Sequence, residues 1–134
     1  MIHTLDTNVI SALRRPDRAP KVAQWLAAQP EQDLFLSVIT LGEIERGIWL
    51  QEPVNPPFAA DLRHWLDRTV TLFADRLLDF TPQDALVWGR LSANIGHPGA
   101  DLMIAAQALV RDAVVVTGNG PDFAPTGARI VDPF

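Results

Sequence analysis

The sequence predicts an α/β domain in which a mainly parallel sheet carries helices on both faces, and three observations predict it. Short runs rich in branched and aromatic residues alternate along the chain with longer stretches whose apolar residues recur at helical spacing. Ala113 to Val116 is continuously apolar, the pattern of a strand buried on both faces of a parallel sheet. Just before it, Ala100 to Val110 reads as a helix that is apolar on nearly every side and therefore central.

Taken in order, Ile2 to Asp6 is a short first strand that ends in an acid, and Thr7 to Leu13 is a helix with Val9, Ile10 and Leu13 on one face. Arg14-Arg15-Pro16-Asp17 breaks it, because Pro16 disfavours helical geometry at Arg15. Val22, Trp25, Leu26 and Gln29 mark a second amphipathic helix from about Pro20, stopped near Pro30; Asp33 to Val38 is the second strand. Thr40-Leu41-Gly42-Glu43 has capping-box spacing, which predicts a helix starting at Thr40, carrying Glu43 in its first turn and running to about Gln51. Pro53, Pro56 and Pro57 punctuate the next connection, and Phe58, Leu62, Trp65, Leu66 and Val70 form the stripe of another helix. These two helices are expected to form an arm or a surface for a second subunit. Leu77 to Phe80 is a short strand, and Pro82 opens a helix whose stripe is Ala85, Trp88, Leu91 and Ile95. Gly96-His97-Pro98-Gly99 is a turn, Thr117 to Phe123 a loop, and Arg129 to Val131 a last edge strand; there is no internal repeat.

The 134 residues suffice for one compact domain, residues 1–134, and are too few for two ordinary ones. No apolar run approaches the roughly 20 residues of a membrane-spanning helix, and the amino terminus lacks the basic region and cleavage site of a secretory signal, so a cytoplasmic location is expected. With no cysteine, disulfides and thiolate metal sites are excluded, leaving carboxylates and three histidines as possible ligands. A net charge of −5 is unusual for a protein that meets nucleic acid. Bound divalent cations would neutralise part of it, and the basic residues are ten Arg and one Lys, the type suited to bidentate phosphate contact. The same acidity suits a basic protein segment as partner.

Right-handed β-α-β crossovers bring strand carboxyl ends and helix amino ends to one edge of a sheet, which is where open α/β sheets bind ligands. Asp6 ends a strand, Glu43 opens a helix after a strand, Asp101 opens the buried helix and Asp122 lies in the loop after a strand. Four gathered carboxylates repel one another and raise their own pKa values, so such a cluster persists mainly when a cation holds it. Oxygen ligands without a Cys or a His pair favour magnesium or manganese over zinc. Each acid also has an ordinary explanation: Asp6 as a helix cap, Glu43 as a capping-box partner, Asp101 as a dipole partner, Asp122 as a turn residue. Their joint placement is what argues for a site. Glu45 points about 200° away from Glu43 around the helix and is expected to meet solvent; Asp84, Asp112 and Asp132 are expected near caps or the opposite edge. His3, His64 and His97 show no i,i+4 pairing and read as strand, surface-helix and loop residues. Thr7, Asn8, Thr117 and Asn119 are placed to hydrogen-bond the carboxylates. Arg14, Arg15 and Arg46 are candidate phosphate contacts, and the four Trp lie on helical stripes as core or interface residues.

At Leu5-Asp6-Thr7-Asn8, Thr40-Leu41-Gly42-Glu43-Ile44-Glu45-Arg46-Gly47, Ala100-Asp101-Leu102-Met103-Ile104-Ala105-Ala106 and Thr117-Gly118-Asn119-Gly120-Pro121-Asp122-Phe123, the chain resembles the PIN-domain ribonucleases. Within them it is most similar to the VapC toxins of bacterial toxin–antitoxin pairs, including the FitB-type proteins. The resemblance implies a PIN-like three-layer α/β/α sandwich, an acidic pocket holding one or two Mg2+ or Mn2+ ions, and endonucleolytic cleavage of RNA. By motif position Asp6, Glu43 and Asp101 match the three acids of that pocket, and Thr117 and Asn119 match its polar loop. The chain departs from the pattern at Gly118, where the family often has Arg. It departs also in its fourth acid: the family's stands at the Asn119 position, and Asp122 either takes that part through water or caps a turn. Family members dimerise and are inhibited by a small antitoxin whose carboxyl-terminal segment docks in the groove, so RNA, an antitoxin and a second copy are the implied partners. Two rivals stand beside this reading. A haloacid-dehalogenase-type phosphotransferase also starts from an Asp after a strand, but needs a second acid where this chain has Asn8 and a later Lys that it lacks. A non-catalytic module whose acidic groove grips a basic peptide is the other.

Overall fold

The computed structural model describes residues 1–134. Five strands, β1 (His3–Leu5), β2 (Leu34–Ser37), β3 (Leu77–Leu78), β4 (Val114–Val116) and β5 (Arg129–Val131), form one sheet in the order β3-β2-β1-β4-β5. Every neighbouring pair is parallel. Seven helices connect and cover them: α1 (Thr7–Ala12), α2 (Pro20–Ala27), α3 (Val38–Gln51), α4 (Pro56–Leu72), α5 (Pro82–Ile95), α6 (Ala100–Arg111) and α7 (Gly120–Phe123). From β1 the chain builds outward through β2 to β3, then crosses to the other side of β1 for β4 and β5. That reversal between β1 and β4 is a topological switch point, where the connections leave the carboxyl ends of the two strands in opposite directions and open a crevice.

The sheet is buried on both faces because successive side chains of a strand point opposite ways. Val116 joins Leu5, Leu36, Val9, Ile10, Ile44 and Ile48 in one core, while its neighbour Val115 joins Ile104, Ala105, Ala108 and Phe123 in the other. The central helix anticipated from the sequence is α6, whose Leu102, Ile104, Ala105, Ala106, Gln107 and Ala108 are all buried. No helix is long and apolar enough to cross a membrane.

Several local expectations are corrected. Helix α3 starts three residues earlier than the Thr40 capping box implied, because Ser37 at the end of β2 caps it, its Oγ accepting from Ile39 N at 2.9 Å. Thr40 is inside the helix and fully buried, and Glu43 therefore stands in the second turn rather than the first. Helices α3 and α4 do not stand off as an arm: Ile44, Ile48, Ala59 and Leu66 are part of the first core, and only Trp49, Leu50 and Val54 are left exposed at the turn between them. The segment after β4 is not all loop, since Gly120–Phe123 winds into one helical turn. Glu45 does not simply face solvent: its Oε1 accepts from Trp49 Nε1 at 2.8 Å and from Arg63 Nη1 at 3.3 Å.

Candidate active site

The parallel register sets Leu5 beside Val116, so the next residues, Asp6 and Thr117, emerge side by side at the switch point. The backbone continues the ladder one step further, Asp6 N donating to Val116 O at 2.9 Å. Asp6 is the N-cap of α1 as its position suggested, with Oδ1 accepting from Thr7 N at 2.9 Å. Its other oxygen, Oδ2, accepts from Thr117 Oγ1 at 2.8 Å and Asn8 Nδ2 at 3.2 Å. A carboxylate that is only 3% exposed and held by three donors has one orientation and no freedom to turn toward solvent.

The other acids are brought to it by separate elements. Thr7 Oγ1 donates to Glu43 Oε1 at 2.8 Å, tying the start of α1 to the second turn of α3. Asp101, in the first turn of α6, is held by no hydrogen bond, and Asp122, in α7, is exposed. Burial pushes the Asp6 carboxyl above its usual range against the three donors that favour its charge, with the Asp122 charge adding to the rise. Burial likewise raises Glu43, with the Thr7 bond opposing and Asp6 reinforcing. Asp101 is pushed up to about 6, first by burial and then by Asp6, Glu43 and Asp122; only His97 opposes. The four acids anticipated from the sequence therefore share one electrostatic neighbourhood, and no Arg or Lys contributes to neutralising them.

The polar residues expected around them divide. Asn8 is central: besides its bond to Asp6, its Nδ2 lies 3.4 Å from Thr117 Oγ1 and its Oδ1 accepts from Gly118 N at 3.0 Å. Asn119 contributes its backbone N–H, which donates to Thr117 Oγ1 at 2.9 Å. At Gly118 a Cβ would lie 2.9 Å from the ring of Phe134, so a side chain there requires the half-exposed Phe134 ring to move aside. Of the candidate phosphate contacts, Arg14 is committed to aromatic faces, its guanidinium carbon 5.2 Å from the Phe58 ring and 5.8 Å from that of Trp65. Arg15 and Arg46 are exposed and take part in no ion pair. Sequence reasoning missed His97, whose Nδ1 accepts from Gly99 N at 3.2 Å and whose charge is felt by Asp101. Its place four residues before an acid that opens a helix was the available signal.

A hard divalent cation suits this donor set. The ligands are all carboxylate oxygens, one oxygen of Glu43 and both of Asp101 lack a protein donor, and the mutual repulsion that raises Asp101 is what a dication relieves. As it stands, the structure brings no three Asp, Glu or His side chains close enough together to hold a metal ion.

Fold and site together define a class: a parallel α/β domain with an acidic crevice at its switch point. Residues 4–127 match the family model described as PIN domain. The chain belongs to the PIN-domain family. It is 46% identical over 98 residues to "Ribonuclease VapC14" of Mycobacterium tuberculosis, an alignment that covers 72% of this chain and 91% of the relative. "Toxin FitB" of Neisseria gonorrhoeae is 30% identical over 136 residues, covering 97% of this chain and 96% of the relative. Among solved structures, FitAcB from Neisseria gonorrhoeae matches with a TM-score of 0.84 at 29% identity, covering 98% of both chains. DNA-bound VapBC from Salmonella typhimurium matches at 0.73 and 27%, covering 100% of this chain and 99% of that one. The sandwich expected from the sequence motifs is thereby the observed fold.

Proposed function

We propose that this chain is a metal-dependent endoribonuclease, a single PIN domain over residues 1–134, that acts as the toxin of a toxin–antitoxin pair. The observation that carries the proposal is that the carboxylates of Asp6, Glu43 and Asp101, delivered by three different elements, act electrostatically on one another, as Asp122 does on Asp6 and Asp101, with no Arg or Lys among them. Its similarity to a protein named as a ribonuclease and to one named as a toxin supports it.

Asp6, Glu43 and Asp101 are the residues that would hold Mg2+ or Mn2+. An ion held there would supply Lewis acidity for activating water and for stabilising charge on the departing 3′ oxygen, consistent with 5′-phosphate and 3′-hydroxyl ends. The chain's own part is orientation. Thr7, Asn8 and Thr117 fix the Asp6 carboxylate, and Thr7 fixes one oxygen of Glu43 so that the other is left to ligate or to orient water. Asp122 is exposed, close enough to act on the same crevice through water. Arg15 and Arg46 are free to meet RNA phosphates.

The solved relatives include a toxin–antitoxin complex, and FitAB and VapBC each bound to DNA. The proposed partner of this chain is likewise an antitoxin whose basic segment meets the acidic crevice, within an assembly built on a homodimer. The net charge of −5 favours such a partner equally if the crevice does no chemistry, so the reading turns on catalysis. Asp6→Asn keeps a side chain able to cap α1 while removing a charged ligand. The variant is expected to fold and to lose Mn2+-dependent RNA cleavage by roughly 100-fold or more. Cleavage at the wild-type rate would assign the activity to another site, and a wild-type protein that binds Mn2+ yet turns over no RNA would leave the peptide-gripping module.

A further inference from the structure

Helix α6 has more buried residues than any other helix, and one of them, in its middle, is polar: Gln107 is fully buried along with Leu102, Ile104, Ala105, Ala106 and Ala108. A buried amide costs free energy unless its donors and acceptor are used. Those of Gln107 are used in one arrangement. Its Oε1 accepts from Ser37 Oγ at 2.6 Å, and its Nε2 donates to Leu78 O at 3.1 Å and Asp79 O at 3.0 Å. A Gln has two amide hydrogens and one carbonyl, so all three polar functions are committed.

The partners are informative. Ser37 is the fully buried residue whose Oγ caps α3, the helix that carries Glu43, while Gln107 shares α6 with Asp101. One hydroxyl therefore accepts from the first turn of α3 and donates to α6. The neighbouring backbone is braced as well: Gln107 O accepts from Arg111 Nη1 at 2.9 Å, and the same guanidinium grips both carboxyl oxygens of Asp84. The hydrophobic effect between α3 and α6 is non-directional, and a chain of short hydrogen bonds adds direction to it. Glu43, in the second turn of α3, and Asp101, in the first turn of α6, repel, and the tie opposes that repulsion.

We propose that Gln107 is a positioning residue for the acidic site, its hydrogen bond to Ser37 locking α6 to the capped start of α3 and so setting the separation of Asp101 and Glu43. The inference rests on the reading of those acids as metal-holding groups. A purely structural Gln107 would only satisfy the carbonyls at the end of β3.

Two variants decide the matter. Gln107→Met keeps the length of the side chain and removes its polar atoms, so that the Ser37 cap on α3 stays; Ser37→Ala breaks the α3 side of the tie together with that cap, leaving the bonds to Leu78 and Asp79 in place. Mn2+ affinity is measured by titration calorimetry on folded protein, beside kcat and KM for RNA. Both variants are expected to bind Mn2+ about 10-fold more weakly, to lose kcat with KM little changed, and the double variant to be no worse than the weaker single. Wild-type Mn2+ affinity in Ser37→Ala, or in a folded Gln107→Met with a lowered Tm, overturns the proposal in favour of the structural role. Should Gln107→Met not fold, Ser37→Ala alone decides. A wild-type protein that cleaves no RNA while the variants still weaken Mn2+ binding sinks the nuclease and leaves the positioning role standing; a wild-type protein that binds no Mn2+ sinks both.

Discussion

Thr7 donates its backbone N–H to Asp6 and its hydroxyl to Glu43, so one residue in the first turn of α1 orients acids that come from two elements. Thr7→Val removes the hydroxyl at nearly constant shape and leaves the backbone bond to Asp6. Folding stability is expected to change by about 1 kcal/mol or less, the ordinary worth of one hydrogen bond, while kcat for RNA falls about 10-fold; an unchanged kcat would show that Glu43 does not depend on this bond. Asp6 and Asp101 were legible in the sequence because local signals mark them, an abrupt strand end and a helix start. The Thr7–Glu43 bond spans 36 positions, and the pressure of Phe134 on Gly118 depends on the last residue of the chain folding back. No local pattern encodes either one.

Elements were read correctly where a single strong pattern governed them and misread where two signals competed. The apolar runs at Val114–Val116 and α6 needed no tertiary information. At the start of α3, Ser37 and Thr40 are both good caps; Ser37, at the end of β2, takes the role, and Thr40 Oγ1 is left inside without a partner. Helix α5 shows another override: its only buried residue is Asp84, not the apolar stripe. Asp84 closes a capping box with Thr81 and holds Arg111 at 2.8 and 3.0 Å. Burial would raise its pKa, but the Arg111 and Thr81 hydrogen bonds and the Arg111 charge together outweigh it and hold the carboxyl below its ordinary value. A carboxyl with a depressed folded pKa stabilises the fold above its unfolded pKa and loses that contribution as pH falls through the folded one. Wild-type stability from this pair is therefore expected to be complete at neutral pH and to drain only below about pH 4. Arg111→Met leaves Asp84 buried without its cation and is expected to cost about 3–5 kcal/mol in urea unfolding at pH 7. A loss well under 1 kcal/mol would mean that Asp84 relaxes outward.

Across the whole molecule the acidic crevice works against the fold that builds it. Asp101, raised to about 6, binds its proton more tightly in the folded chain than in the unfolded one, so its favourable contribution is present below about pH 4 and is lost as pH climbs through 6. Asp6 and Glu43 are shifted in the same direction. The switch-point topology makes this conflict unavoidable, because a parallel sheet that reverses direction between β1 and β4 delivers the ends of several elements to one crevice. That much follows from the alternation of strands and helices, which is why the sequence alone places acids far apart in the chain on a single edge. A ligand that binds only the folded state stabilises it by mass action, about 2.7 kcal/mol at a hundredfold excess over its Kd. Protons compete for the same oxygens, so the effect of Mn2+ on Tm is expected to be a rise of several degrees at pH 7.5 that shrinks toward zero at pH 5. In Asp101→Asn, where the most strongly raised carboxyl is gone, the metal-free protein is expected to melt higher than wild type at pH 7.5 and to gain little from Mn2+. Thermal melts of both proteins at the two pH values, with and without Mn2+, check this. Equal shifts at pH 5 and pH 7.5, or an Asp101→Asn variant that responds to Mn2+ as fully as wild type, would mean that the cation binds somewhere other than the crevice.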